Sequence, residues 1–230
     1  MFIPYRDVNP SGGIPYVTVG LIVVNALVFL GEITASRPGE LFMRYGLTPG
    51  EFVSSWRTGG ILSHALLPLF TNIFMHAGWM HIAVNMLYLW IFGDNVEDRL
   101  GHAEFLVFYL ISGIMASLAH VIAAPGSGIP LVGASGAISG VLAAYVICFP
   151  RARVWVLVFF RPVEIRAAWF MGIWFAIQLV LGVFGAKAGS GGGVAYMAHI
   201  GGFVIGLILI FLFPERSGFR DRSDRGERLS

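Results

Sequence analysis

Three groups of polar side chains interrupt otherwise apolar stretches of this chain, and their types suit nucleophilic and acid–base chemistry. The first is Gly133-Ala134-Ser135-Gly136. A serine hydroxyl becomes a nucleophile when a base takes its proton. Ser135 opens an apolar helical stretch that ends before Pro150, because proline pushes the preceding residue out of helical geometry. The second is His199, in Ala198-His199-Ile200-Gly201-Gly202. Pro214 follows His199 by 15 residues, and Pro150 follows Ser135 by the same 15. If the two helices run in the same direction, Ser135 and His199 lie at one depth. Gly136 with Gly140, and Gly202 with Gly206, form GxxxG faces that permit close backbone approach. A histidine level with a serine on a compatible face reads as nucleophile and general base. Taken singly, the serine reads equally as a helix cap and the histidine as a structural hydrogen-bonder.

The third group is His76-x4-His81-x3-Asn85. His81 and Asn85 are four apart and share a helix face. Imidazole and amide can both donate hydrogen bonds to an oxyanion. Zinc is the rival reading, but HExxH is absent and no carboxylate lies within a turn of His81. No metal and no cofactor is expected, and His76 reads mainly as a staple. Asp94, Glu97, Asp98 and Arg99, at the far end of the same helix, read as salt-bridged end-capping. No acidic residue falls where it would orient His199, so a dyad is expected in place of a three-member triad. His64, His102 and His120 read as structural.

The elements that must position these groups follow from the charges. Hydrophobic residues make up 57% of the 230, charged residues 12%, with 30 glycines and a net charge of +2. A soluble domain carries about 25% charged residues, so a water-soluble globule is excluded, as is a disordered chain. A nucleic-acid binder would need a basic stripe. The single cysteine, Cys148, excludes a disulfide framework. The runs free of formal charge are 8–31, 58–93, 105–150, 167–186 and 188–214. A spanning helix needs about 20 residues, and Pro125-Gly-Ser-Gly-Ile-Pro130 splits the longest run with turn chemistry. The expectation is an all-α polytopic membrane protein with six helices, over 14–34, 78–98, 103–123, 134–149, 167–186 and 195–213.

Six crossings put both ends on one side, where 11 of the 15 basic residues also fall, so both termini are expected in the cytoplasm. The first helix lacks the basic flank and cleavage site of a removed signal. The membrane domain is expected over 1–213, followed by a polar, Arg-rich cytoplasmic tail over 214–230. No second domain and no internal repeat is visible. The first external connection, about 36–77, is long enough to carry structure of its own. Its apolar positions suggest short amphipathic helices at the interface, or a lipid-facing loop. The run of small residues from Lys187 to Val194 reads as a movable lid or a plain linker.

Together these motifs resemble the rhomboid family of intramembrane serine proteases. They occur in order on the second, fourth and sixth of the six expected helices, and the resemblance covers about 14–213. It implies that Ser135 is the nucleophile and His199 the general base. Asn85, His81 and the Ser135 backbone N–H would form the oxyanion hole, supported by Gly133, Gly136, Gly202, Gly206 and His76. The implied partners are single-span membrane-protein substrates and the lipid bilayer, with no nucleic acid, and the implied location is a bacterial cytoplasmic membrane. Lateral substrate access past the fifth helix makes Phe170, Trp174 and Phe175 candidates for gate packing. The family often carries Trp-Arg about nine residues before the position of His76; here Leu67-Pro68 stand there, and Trp56-Arg57 lie further upstream. Some members carry an aromatic ring four residues after the serine, where this chain has Ser139. The group that holds the His199 ring is therefore not identifiable from the sequence. A catalytically inactive client-binding relative is the alternative, although such proteins typically lack the serine or the histidine. A small transporter would show inverted repeats, which are not found.

Overall fold

A computed structural model of the chain describes residues 2–9, 11–159, 161–187 and 196–219. Among these the elements are β1 (Phe2–Asp7), α1 (Tyr16–Thr34), α2 (Pro38–Tyr45), α3 (Pro49–Thr58), α4 (Leu67–Thr71), α5 (Trp79–Leu100), α6 (His102–Ala123), α7 (Ser135–Cys148), β2 (Arg153–Val158), β3 (Arg161–Arg166), α8 (Ala167–Lys187) and α9 (Tyr196–Leu209). The proposed lid over 187–194 and the end of the tail lie outside the described residues, except for the backbone of Lys187.

The bundle is built around α7. Every residue from Gly136 to Tyr145 is buried, as expected of a helix that is apolar all round. Its small side chains let α6 and α9 come close on either side. A Cβ on Gly202 would overlap the Gly136 carbonyl, and one on Gly206 would sit 2.5 Å from Gly140 backbone atoms. The two GxxxG faces read from the sequence therefore meet each other, and only hydrogen fits at their crossing. Phe92, Phe105, Phe108 and Tyr109 fill the core around this seam.

Helices α1 and α6 are long and apolar enough to cross a membrane by themselves; Ser135–Cys148, Ala167–Gly182 and Tyr196–Leu209 are apolar but shorter. Helix α9 ends at Leu209 instead of running to Pro214. The chain beyond it tightens into shorter turns, with Phe211 N–H bonded to Ile208 O and Leu212 N–H to Leu209 O. Proline disfavours helix at the residue before it but does not require helix up to it.

The all-α expectation needs correction. β1, β2 and β3 form an antiparallel sheet in that order. Val154 pairs with Ile165 and Val156 with Val163; Val154 and Val156 are buried, while Arg153 and Leu157 on the opposite face are exposed. Alternating β-branched residues between arginines are a strand signal, outweighed in the sequence reading by the helical runs on either side.

The acidic cluster also differs from expectation. Glu97 caps α1 as well as ending its own helix: its carboxylate accepts from Val17 N, Thr18 N and Thr18 Oγ1 at 2.7–2.9 Å. It also lies 2.6 Å from His102 Nδ1. A carboxylate is favoured at a helix N-terminus, where backbone N–H groups lack partners. Arg99 pairs instead with Glu215, at 3.6 Å. At the same end, the Asp7 carboxylate accepts from Tyr145 Oη at 2.8 Å and from Asn95 Nδ2 at 2.9 Å. Burial pushes the Asp7 carboxyl up to about 7, against the lowering effect of the Tyr145 bond.

Candidate active site

The start of α7 is held by the long connection between α1 and α5. That connection is largely helical, with α2, α3, a π turn at Leu62–Leu66, α4 and a 3-10 turn at Asn72–Phe74. Leu47 and Leu131 exchange backbone hydrogen bonds at 2.9 and 3.0 Å. Gly133 N donates to Asn72 O at 2.9 Å. The Asn72 side chain is tied in turn to Pro68 O, Leu69 O and Ser117 Oγ. Gly133 has φ +127, and a Cβ there would lie 2.7 Å from His81 Nε2. Both constraints demand glycine and bring the chain against the His81 ring just before Ser135.

At the first turn of α7, Ser135 Oγ lies 2.7 Å from His199 Nε2. The other ring nitrogen, Nδ1, lies 2.7 Å from Gln178 Oε1 on α8. An amide oxygen only accepts. The contact is a hydrogen bond when Nδ1 carries the ring hydrogen, and that tautomer leaves Nε2 to accept from the serine hydroxyl. The Trp174 ring lies 5.9 Å from the imidazole, tilted by 36°. Ser139 turns its hydroxyl to Ser135 O at 2.6 Å.

A cavity of about 1000 Å³ opens at this point, lined by His81, Asn85, His120, Ser135, Trp174, Gln178 and His199 among others. Asn85 is buried, and its Nδ2 finds no partner among the described residues. His81 Nδ1 accepts from Ala77 N at 3.4 Å. His76 stands behind, fully buried, with its ring 5.1 Å from that of His81 and its backbone N–H on the Glu32 carboxylate at 3.1–3.2 Å. Burial lowers the His76 ring to about 4, with the neighbouring His81 as the lesser cause. Glu32, counted from the sequence as the edge of a charge-free run, is itself buried in α1.

The structure thus brings Ser135, His199, His81 and Asn85 to one cavity, and it keeps Asp94, Glu97 and Asp98 away from it. Sequence reasoning missed Gln178. Its signal was present: apart from indole N–H groups, it is the single polar side chain in the charge-free run 167–186. Of the gate candidates on α8, Trp174 faces the imidazole, Phe175 stacks on Phe203 at 4.5 Å, and Phe170 is fully buried. Among the described residues no group of three or more His, Cys, Asp or Glu is placed to hold a metal.

A Rhomboid domain family model matches residues 63–216. The chain is 32% identical to the mitochondrial Rhomboid protein 1 of Saccharomyces cerevisiae over 82% of its own length and 50% of that protein's. It is 45% identical to Rhomboid protease GluP of Bacillus subtilis over 58% of the chain and 25% of that protein. It is 28% identical to Rhomboid protease GlpG of Salmonella paratyphi A over 69% of the chain and 52% of that protein. The chain spans about half the length, or less, of these relatives.

Proposed function

The chain belongs to the rhomboid family of membrane-embedded proteins, and from that premise we propose that it is an intramembrane serine endopeptidase acting through a Ser135–His199 dyad. The observation that carries this reading is the 2.7 Å contact between Ser135 Oγ and His199 Nε2 at the wall of an open cavity. In the first half-reaction Ser135 Oγ attacks the scissile carbonyl while Nε2 takes its proton, then passes it to the leaving amine. The tetrahedral oxyanion draws on the Asn85 amide, the His81 ring and the Ser135 backbone N–H, which lies in the first turn of α7 and has no partner within the helix. The buried Asn85 Nδ2, unpartnered among the described residues and lining the cavity, supports this role, because a donor left free at a reaction site is available to the developing oxyanion. In the second half-reaction water attacks the acyl-enzyme, and the cavity is the route by which water reaches it.

The substrate in this reading is a transmembrane segment that unwinds locally, since an intact helix hides its scissile carbonyls in its own hydrogen bonds. In this reading α1, α5, α6, α7, α8 and α9 cross the bilayer. The sheet and both chain ends face the cytoplasm with most of the arginines, and the α2–α4 segment lies at the opposite interface.

The test is purified protein in detergent with a labelled single-span substrate, comparing wild type with Ser135→Ala and His199→Ala. Cleavage by wild type and its loss in both variants is expected. A Ser135→Ala protein that cuts at the wild-type rate overturns the assignment.

A further inference from the structure

We propose that Gln178 is the positioning residue for His199: its side-chain oxygen fixes the imidazole in the tautomer and orientation that let Nε2 take the Ser135 proton. This rests on the serine-protease reading above and deepens it. A neutral imidazole has one N–H and one lone pair, and a general base needs the lone pair on the nitrogen facing the nucleophile. Left alone, the ring exchanges tautomers and swings about its χ angles. A dyad without an acidic third member needs some other acceptor on Nδ1.

Gln178 Oε1 occupies that place, 2.7 Å from Nδ1 on the side of the ring away from Ser135. The candidates for the same task fall short. Ser139, four residues after the nucleophile, is spent on Ser135 O. Trp174 lies beside the ring at 5.9 Å, and an indole offers no acceptor atom. No carboxylate bonds to the ring among the described residues.

The place of Gln178 on its helix points the same way. Over residues 167–182 of α8, Ala167, Phe170, Met171, Trp174, Phe175, Gln178 and Gly182 are the buried or half-buried positions, recurring at helical spacing with exposed residues between them. Gln178 is thus the polar member of an inward stripe, where an amide without a hydrogen bond costs free energy. A glutamine also meets the acceptor requirement without adding a second charge to an apolar setting. During proton transfer the imidazolium keeps its Nδ1 bond, and the amide oxygen, the negative end of its dipole, stabilises the new positive charge.

The experiment measures kcat and KM for a single-span substrate, together with thermal unfolding, in wild type, Ser135→Ala, Gln178→Met and Gln178→Glu. Methionine keeps the length and volume and lacks the strong acceptor; glutamate restores one. Misplacing a catalytic group costs about 10²-fold, so kcat of Gln178→Met should fall by roughly 10- to 100-fold, with KM and the unfolding midpoint near wild type. Gln178→Glu should recover most of the loss. Unchanged kcat in Gln178→Met, or equal losses in both variants, overturns the inference while Ser135→Ala remains dead. If Ser135→Ala cleaves like wild type, the protease reading itself has failed. Ring ¹⁵N resonances of unsubstituted protein, with His199 assigned by difference from His199→Ala, give an answer that no variant's folding can obscure. Hydrogen on Nδ1 is expected, and hydrogen on Nε2 contradicts the proposal.

Discussion

Helices α7 and α8 face the same cavity and are held in opposite ways. From Gly136 to Tyr145, α7 is buried on all sides and meets α9 where a single Cβ would overlap backbone. On α8, Trp169, Ile173, Ile177 and Val180 are exposed, and over residues 167–182 a single stripe faces inward. Serine and histidine therefore stand on a seam that does not yield, while the group bonded to the far side of the imidazole comes from the less enclosed helix. The distance between Ser135 and His199 follows from glycine packing; the orientation of the imidazole depends on where α8 sits.

Substitutions on the two sides can break this contrast. The largest effect is expected at the seam. Gly202→Val places branched carbon against the Gly136 carbonyl, and overpacking of this kind costs about 1–3 kcal/mol or more. Cleavage should be lost together with a lower unfolding midpoint. A Gly202→Val protein that is stable and active would mean that the seam does not set the site. Next is the fixed wall on α5. Losing one oxyanion donor costs about 10²–10³ in rate, so Asn85→Ala should lower kcat by that order with unfolding unchanged. On α8 the expected effect is smaller. Aromatic ring contacts contribute about 0.5–1.5 kcal/mol, so Trp174→Leu should slow cleavage by less than about tenfold and leave stability near wild type. Equal losses of stability from Trp174→Leu and Gly202→Val would erase the distinction between the helices.

The smallest effect on cleavage is expected at the sheet end, where the readout is stability alone. The folded protein holds a proton on Asp7 up to about pH 7, against 3.8 for an ordinary aspartate. The unfolded chain releases that proton earlier, so the Asp7 contribution is fullest below about pH 4 and is lost as pH rises through about 7. Unfolding midpoints of wild type should decline across that window. Asp7→Asn, which keeps an acceptor for Tyr145 Oη, should flatten the decline.

Much of this geometry was legible in the chain. Equal spacing from Ser135 to Pro150 and from His199 to Pro214 leveled the two residues, and the glycine pairs marked the faces that meet. The count ran from the prolines, and α9 stops at Leu209 short of its own; the two residues still meet because each stands in the first turn of its helix. Gln178 was hidden by a search for acids: an amide orients an imidazole as an acceptor without appearing in any charge pattern. Glu97 misled in another way. Its neighbours in sequence suggested end-capping of its own helix, whereas its partners Val17 and Thr18 lie some 80 residues away. The sheet was missed because β1 and β2 are separated by almost the whole bundle, and each strand alone is too short to stand out from a polar connection.

The proposed mechanism makes Ser135 a nucleophile activated by His199. A fluorophosphonate probe tests it without knowledge of the natural substrate, by mass spectrometry of the modified peptide in wild type, Ser135→Ala and His199→Ala. An adduct on Ser135 is expected in wild type, none at that position in Ser135→Ala, and a much slower reaction in His199→Ala. An adduct that forms on another residue, or on Ser135 at the same rate without His199, would contradict it.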